Sequence, residues 1–170
     1  MIVKRGLAFL IDYVLIISYA VCLYFVSSFL QSFISIDLSS ETPLVNQGIG
    51  FVTLTLPVFL YFYFSERSAK AATLGKQILG LRVQVQKDIS SQKILKRNIV
   101  KFLPWEVAHF GVHFLFYFDH KQLSVPIWNW FFLMVPQIMV IFYIITILIS
   151  RGRSGFYDRL AHTEIVYKSR

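Results

Sequence analysis

The sequence KRGLAFLIDYVLIISYAVCLYFVSSFL, from Lys4 to Leu30, is apolar almost throughout after its basic pair. The hydrocarbon core of a bilayer is about 30 Å thick and each helical residue rises about 1.5 Å, so this stretch is long enough to cross a membrane. Asp12 is the one acidic residue in it. An aspartate costs roughly 2.5–3.5 kcal/mol near the centre of a span, so Asp12 needs a partner and marks a functional-site candidate.

The composition supports a membrane protein rather than a water-soluble one. Of 170 residues, 56% are hydrophobic and 17% aromatic, and the apolar residues fall in blocks. We therefore predict an all-α membrane protein, with residues 1–170 forming a single domain. The only cysteine, Cys22, lies in the first block, which excludes an intrachain disulfide and a cysteine-based metal site. No nucleophile arrangement stands out, so we predict neither an enzyme nor a cofactor.

Four apolar blocks are candidates for transmembrane helices. They cover residues 7–30, 49–64, 102–118 and 127–150. Pro57 predicts a kink in the second block. The third is weak, because it holds Pro104, Glu106 and two histidines in a length near the lower limit for crossing. A polar loop at 31–48, which contains Asp37 and Glu41 but no Lys or Arg, separates the first two blocks.

The segment between the second and third blocks is strongly basic and predicts two further elements. Residues 81–86 alternate apolar and polar side chains as a strand does, and so does the stretch 163–167 near the C-terminus. We expect these strands to pair, with a turn at 87–92 after the first. Basic side chains at 93, 96, 97 and 101 lie opposite apolar ones, which predicts an amphipathic helix on anionic lipid headgroups. The chain as a whole has a net charge of +8. Because the basic segment lies between apolar blocks, we expect it to bind lipid rather than nucleic acid.

The distribution of basic residues predicts the topology. With four spans and both termini in the cytoplasm, every Lys and Arg except Lys121 lies on the cytoplasmic side. If residues 102–118 do not span, the basic C-terminal tail moves outside. The positive-inside rule therefore favours a multi-pass protein of the plasma membrane with four spans.

Three motifs resemble the RDD family of small prokaryotic membrane proteins. They are RGLAFLID at 5–12, ATLGKQILGLRV at 72–83 and DRLAHT at 158–163. The family is named for one arginine and two aspartates, which by position resemble Arg5, Asp12 and Asp158. His162 departs from the family, in which a small residue is more usual. The resemblance implies a plasma-membrane protein in which either cation–proton exchange or a non-catalytic role in a membrane complex is expected.

The first candidate site is a cluster at the inner boundary of the membrane. Arg5 and Asp12 lie about 20° apart around a helix but roughly 10 Å apart along it, so either a third group bridges them or each has its own partner. We expect Arg5 to pair with Asp158, and Asp12 to take a basic or hydroxyl partner from the turn at Thr73–Lys76 or from the tail. Arg159 is included in this cluster. It either couples protonation to transport or clasps the tail against the first helix.

A second candidate site lies in the third block, where Glu106, His109 and His113 share one face of a helix. The arrangement fits a proton relay, a divalent-metal site or histidines that only bond neighbouring helices. A transporter also needs a polar path, which these three residues could line with Asp12, Asn129 and Gln137. Four short spans enclose little volume, so we expect a transporter of this size to form a homo-oligomer. The alternative is a membrane adaptor or regulatory subunit that binds a partner protein.

Overall fold

The computed structural model describes residues 1–33, 42–85 and 91–168, which form seven α-helices and two strands. In chain order these are α1 (Ile2–Phe33), α2 (Pro43–Gly50), α3 (Leu56–Arg67), α4 (Leu74–Ile78), β1 (Leu81–Val85), α5 (Ser91–His120), α6 (Ile127–Ile149), α7 (Phe156–Leu160) and β2 (Thr163–Tyr167). A π-helical segment, Phe51–Thr55, joins α2 to α3 without a break. The predicted loop at 31–48 is too long, because α1 continues to Phe33 and α2 starts at Pro43. Asp37, Glu41 and most of the predicted turn at 87–92 lie outside the described residues.

Three helices in the described ranges are long and apolar enough to cross a membrane. They comprise Ile2–Leu30, Pro43–Arg67 and Ile127–Ile149. The side chains of these helices point mostly outward, and few of them are buried inside the protein. That is the expected surface for a protein whose solvent is lipid.

The predicted interfacial helix does not form a separate element. Residues 93–101 are the first turns of α5, which continues unbroken through Pro104 to His120. Arg97 was predicted on the exposed basic side, and this prediction is wrong: its side chain is buried, on the same side as Ile94 and Asn98. Positions 94, 97 and 98 share one helical face, so the face that packs inward carries a charge and requires a counter-charge.

α5 packs antiparallel to α6 over most of the length of both helices. The Tyr143 hydroxyl donates to the Val100 carbonyl at 2.8 Å near one end. Phe110 contacts Phe132 in the middle, and Phe118 contacts Trp128 near the other end. Gly111 makes the close approach possible, because a Cβ there would lie 3.1 Å from the backbone of Phe132. α5 therefore lies alongside an apolar helix that qualifies as a membrane span.

Two of the helix prolines are each matched by a tyrosine from another helix. Proline in a helix frees the carbonyl four residues earlier. Pro57 frees the carbonyl of Thr53, which accepts a hydrogen bond of 2.5 Å from Tyr19 of α1. The π-helical segment immediately before α3 absorbs the distortion that the sequence predicted as a kink. Pro104 frees the carbonyl of Val100 in the same way, and Tyr143 occupies it.

The predicted pair of strands is present. β1 and β2 form an antiparallel sheet in which Leu81 faces Tyr167 and Val85 faces Thr163. Its buried side chains Leu81, Val83 and Ile165 pack against Ile94 of α5 and Ala8 of α1. This contact supplies the support that an isolated two-stranded sheet lacks. The turn before β2 forms with His162 in the left-handed region, at φ +53°. The sheet therefore gathers the start of α1, the start of α5 and the C-terminal tail at one end of the bundle.

Candidate functional site

Asp12 caps α4 across the structure, from a different helix. Its carboxylate accepts hydrogen bonds from the Thr73 hydroxyl at 2.6 Å, the Gly75 amide at 2.9 Å and the Tyr61 hydroxyl at 2.9 Å. Tyr61 in turn accepts the Leu74 amide at 3.0 Å. The amides of Leu74 and Gly75 belong to the first turn of α4, where backbone N–H groups have no hydrogen-bond partner within the helix. The N-terminus of a helix also favours a negative charge. Asp12 is 2% exposed, so the three neutral donors stabilise a carboxylate that water does not reach.

Close packing of α4 on α1 makes this capping possible. A Cβ on Gly75 would lie 2.1 Å from the Ala8 carbonyl oxygen, so only glycine allows the two backbones to come this near. Ala8 itself is 1% exposed. The sequence motif around Gly75 is therefore a docking surface for α1.

A chain of buried ion pairs lies beside the capped turn. We call its five members, Arg5, Glu66, Lys76, Arg97 and Asp158, the charged network. Glu66 contacts Lys76 through one carboxylate oxygen and Arg97 through the other. Arg97 Nε also lies 2.7 Å from Asp158 Oδ1, and Arg5 Nη2 lies 2.5 Å from Asp158 Oδ2. The network thus joins the starts of α1 and α5, the end of α3, α4 and α7.

Neutral groups complete the hydrogen bonding of the network. Arg5 also donates to the Gly152 carbonyl at 3.1 Å and to the Tyr157 hydroxyl at 3.0 Å. The Asn98 amide donates to Glu66 at 3.0 Å, and the Gly155 amide donates to Asp158 at 2.8 Å. Buried charges are tolerated only when they are paired and their remaining donors and acceptors are used. This network meets that condition at both of its carboxylates.

Two network members outside the apolar helices have shifted pKa values. Burial alone would raise the pKa of Asp158, but Arg97, Arg5 and the Gly155 amide outweigh it and hold that pKa below its usual range. Burial lowers the pKa of Lys76 although the adjacent Glu66 opposes the shift. Asp158 is therefore ionised at neutral pH and ties the C-terminal tail to two arginines.

The sequence found part of this site and missed the rest. The predicted pair of Arg5 with Asp158 and the predicted hydroxyl partner of Asp12 are both present. Arg159 was placed in the cluster, but its side chain is exposed, because it points away from the buried side of α7. Glu66, Arg97 and Asn98 were not predicted as members. Glu66 carried one signal, an acidic residue at the end of an apolar block and the start of a basic segment.

The second candidate site has a different character. The Gln47 amide donates to Glu106 Oε2 at 3.0 Å. The other oxygen, Oε1, is buried, has no hydrogen bond within the part of the chain that the structure describes, and lies 4.0 Å from His109 Nδ1. The rings of His109 and His113 are 6.4 Å apart, and His113 Nε2 faces Gly50. We call Gln47, Glu106, His109 and His113 the polar strip. Among the described residues, no acidic, histidine or cysteine side chains form a group of three that could hold a metal ion.

The two remaining path candidates, Asn129 and Gln137, both lie on α6 but differ in burial. Asn129 is fully buried, and neither of its amide atoms has a hydrogen bond within the described ranges. Gln137 was predicted to line an interior path, but its side chain is exposed on the outer surface of α6. Position 137 follows Pro136, which is buried, so the glutamine one residue later points outward.

Three apolar helices of spanning length, a buried network of charges and a small sheet at one end define a multi-pass membrane protein. The chain belongs to the RDD family, whose family model matches residues 1–162. Comparison with the curated proteins found no match, and comparison with the solved structures found none. Arg5 and Asp158, two of the three residues that the sequence motifs single out, lie in the charged network, and Asp12 caps the turn beside it.

Proposed function

We propose that the protein carries out proton-coupled movement of a small monovalent cation across the plasma membrane. In this proposal the polar strip handles the proton, and the charged network holds the membrane helices and the tail together. The observation that carries it is the Oε1 oxygen of Glu106, which has no hydrogen bond among the described residues and lies 4.0 Å from His109 Nδ1. An ionisable group within a span is a functional-site candidate by default.

The proposal requires α5 to be the fourth span. Its contacts with α6, from Val100 to Phe118 on one helix and from Tyr143 to Trp128 on the other, support this placement. The polar side chains that weaken its hydropathy turn partly inward: Glu106 and His109 are only about one-quarter exposed at 24% and 27%. Protein burial reduces the cost of such groups in a bilayer.

The same topology places both termini in the cytoplasm. With the exception of Lys121, the described Lys and Arg residues all lie at one end of the bundle. They belong to the start of α1, the end of α3, the start of α5, the segment after α6, or the short elements around the charged network. Lys121 lies 24 positions after Arg97, which is roughly 36 Å along a continuous helix. The positive-inside rule then assigns the network end of the bundle to the cytoplasm.

The proton chemistry of the strip follows from the contacts of Glu106. Its Oε2 accepts a hydrogen bond from Gln47, while Oε1 accepts none from the described residues and is open to a new donor. His109 Nδ1 is close enough to exchange a proton with it after a small side-chain rotation, and His113 follows one helical turn later. The charged network does not suit this task, because two buried cations contact each of its carboxylates.

Transport through so small a bundle calls for a second copy, and α6 supplies a reason for one. Gln137 lies near the middle of the apolar helix with its amide exposed and no hydrogen bond in the described part of the chain. An amide that faces hydrocarbon favours a partner on another helix. We therefore propose a homo-oligomer in which α6 helices meet at Gln137. Gln137→Leu should weaken the oligomer in native mass spectrometry, whereas Met134→Leu on the same exposed face should leave it unchanged.

The experiment that tests the function is proton flux in proteoliposomes. Purified protein is reconstituted with a trapped pH dye, and sodium or potassium gradients are applied in turn. We expect a cation-dependent pH change for the wild type, which Glu106→Gln abolishes. Asp119→Asn, which removes an exposed carboxylate at the end of the same helix, is the matched control and should retain the flux. A wild-type protein that is folded and moves no protons under either gradient would overturn the proposal.

The adaptor role is the second candidate, and one observation favours it. The short helix α4 exposes Leu74 and Ile78, which lie four residues apart on one face outside the apolar spans. A partner protein that covers this face would anchor itself to the bundle. An Ile78→Glu variant that loses a co-purifying membrane partner, together with absence of flux, would support this role instead.

A further inference from the structure

A cavity opens where the end of α6 meets the start of α1 and the last strand. Its volume is about 430 Å³, within the range of roughly 300–1,000 Å³ that ligand sites occupy. The lining residues are Met1, Ile149, Ser150, Arg151, Arg153 and Tyr167. The charged network contacts this loop at the Gly152 carbonyl through Arg5, but none of its five members lines the cavity. The cavity is therefore separate from both sites described above.

The two arginines of the cavity form no ion pair with any residue of the described ranges. Arg151 and Arg153 are exposed, and neither guanidinium forms an ion pair or a hydrogen bond with a described residue. Of the two acidic residues of the tail, Asp158 is fully buried against Arg5 and Arg97, and Glu164 forms no ion pair with a described residue. A third cation, Lys4, lies at the rim with its Nζ 5.2 Å from the ring centre of Tyr167. The site therefore presents uncompensated positive charge.

The backbone holds this site in place before any ligand arrives. Arg151 has φ +54° and Gly152 φ +85°, a left-handed turn that reverses the chain after α6. The Gly152 amide donates to the Ile147 carbonyl at 2.8 Å, and the Gly152 carbonyl accepts Arg5. The Arg153 carbonyl accepts the Ile165 amide of β2 at 2.8 Å. Both arginines thus project from a fixed loop, which reduces the entropy cost of binding.

The position of the cavity selects the ligand. Ile149 ends an apolar helix that is long enough to span a membrane, and the arginines follow within four residues. When such a helix crosses a bilayer, residues just beyond its end lie at the depth of the headgroups. Guanidinium groups pair with phosphate oxygens through two parallel hydrogen bonds. We propose that this cavity binds the phosphate of an anionic phospholipid, with Arg151 and Arg153 on the phosphate and Ile149 beside the acyl chain.

The cavity lies apart from residues 93–101, where the sequence predicts a contact with lipid headgroups. The basic side of residues 93–101 was expected to rest on headgroups, but its Arg97 is buried in the charged network. Lipid binding at this cavity requires only that α6 span the membrane, so it does not depend on the transport function. Failure of the flux experiment leaves it intact, because lipid binding is measured without a gradient.

The test compares lipid binding by the full chain and two matched double variants in a neutral detergent. Arg151→Asn with Arg153→Gln removes the site, and asparagine tolerates the left-handed backbone at position 151. Lys70→Gln with Arg159→Gln removes two exposed charges elsewhere at the network end. Short-chain phosphatidylglycerol and phosphatidylcholine are titrated, and binding is followed by native mass spectrometry. Inorganic phosphate is added as a competitor.

We expect phosphatidylglycerol to bind the wild type at least about tenfold more tightly than phosphatidylcholine, and the site variant to lose this preference. The control variant should keep it. Equal binding of the two lipids, or equal losses in both double variants, would overturn the proposal. Full competition by inorganic phosphate at the same concentration would also overturn it, since the acyl chain would then contribute nothing. Unchanged elution in size-exclusion chromatography shows that each variant is folded.

Discussion

The charged network and the polar strip are both groups of ionisable side chains inside one small bundle, yet they are built in opposite ways. In the network, each carboxylate contacts two cations and accepts a further hydrogen bond. In the strip, Glu106 has one neutral donor and an oxygen without a hydrogen bond. Saturated groups fix geometry, whereas an unsaturated group can exchange a proton. The comparison therefore separates the residues that hold the fold from those that we propose to act.

The largest effect is expected when the network loses a carboxylate. Asp158→Asn leaves Arg5 and Arg97 buried with only partial compensation, and removal of one partner from a buried pair costs about 3–5 kcal/mol. We expect the free energy of unfolding in mixed micelles of mild detergent and SDS to fall by that amount. Asp119→Asn, a change of the same chemistry at an exposed site, should alter it by less than about 0.5 kcal/mol. Equal free energies of unfolding for the two variants would mean that the charged network does not stabilise the fold.

A second test breaks the contact that brings α4 onto α1. Gly75→Ala places a Cβ against the Ala8 carbonyl oxygen at a distance of 2.1 Å, so one backbone must move. Overpacking of this kind costs about 1–3 kcal/mol, and more where the neighbour is backbone. Gly6→Ala near the start of α1 is the control, because a Cβ there meets nothing within 4 Å. The two melting temperatures should differ clearly, with Gly6→Ala at or above the wild-type value.

A smaller loss is expected at Asp12. Asp12→Asn keeps one oxygen for Tyr61 and Gly75, and the Thr73 hydroxyl can reverse its hydrogen bond to accept from the new amide. The lost charge weakens bonds that are worth about 1.5–3 kcal/mol each when one partner is ionised. We expect a folded protein with reduced stability. Complete loss of folded protein would show that the charge, and not only the hydrogen bonds, holds α4.

Acid should weaken the network gradually. The pKa of Asp158 is lower in the folded protein than in the unfolded chain, so its contribution is fully present above the unfolded value of about 4. Below that pH the unfolded chain binds a proton that the folded protein does not, and stability falls until the folded pKa is passed. Melting temperatures measured from neutral pH downward should decline below about pH 4 in the wild type. The decline should be shallower in Asp158→Asn.

The sequence predicted the parts of this molecule that depend on local pattern. Hydropathy located the three apolar helices, alternation located both strands, and the Arg5–Asp158 pair followed from motifs and topology. It did not predict Glu66 and Arg97, because their pairing depends on how α3 meets α5 rather than on neighbours in the chain. The amphipathic pattern at residues 93–101 was misleading for the same reason. A buried arginine looks like a solvated one until its counter-charge, 31 positions away, is known.

The same limit applied to the polar residues of the helices. Periodicity placed Glu106, His109 and His113 on one face, but it could not show that Gln137 points outward while Asn129 is buried. Those orientations depend on the rotation of α6 against α5. The sequence also did not predict the tyrosines that donate hydrogen bonds to the carbonyls freed by Pro57 and Pro104. Each of these bonds joins helices that are far apart in the chain.

The most direct test of the account compares the proton flux of Asp12→Asn with that of Glu106→Gln. Both variants are reconstituted at the same amount of folded protein, and flux is measured per molecule under one sodium gradient. The account predicts that Asp12→Asn transports at the wild-type rate despite its lower stability, while Glu106→Gln is stable and inactive. The reverse result, an inactive Asp12→Asn beside an active Glu106→Gln, would contradict the division between the charged network end and the polar strip.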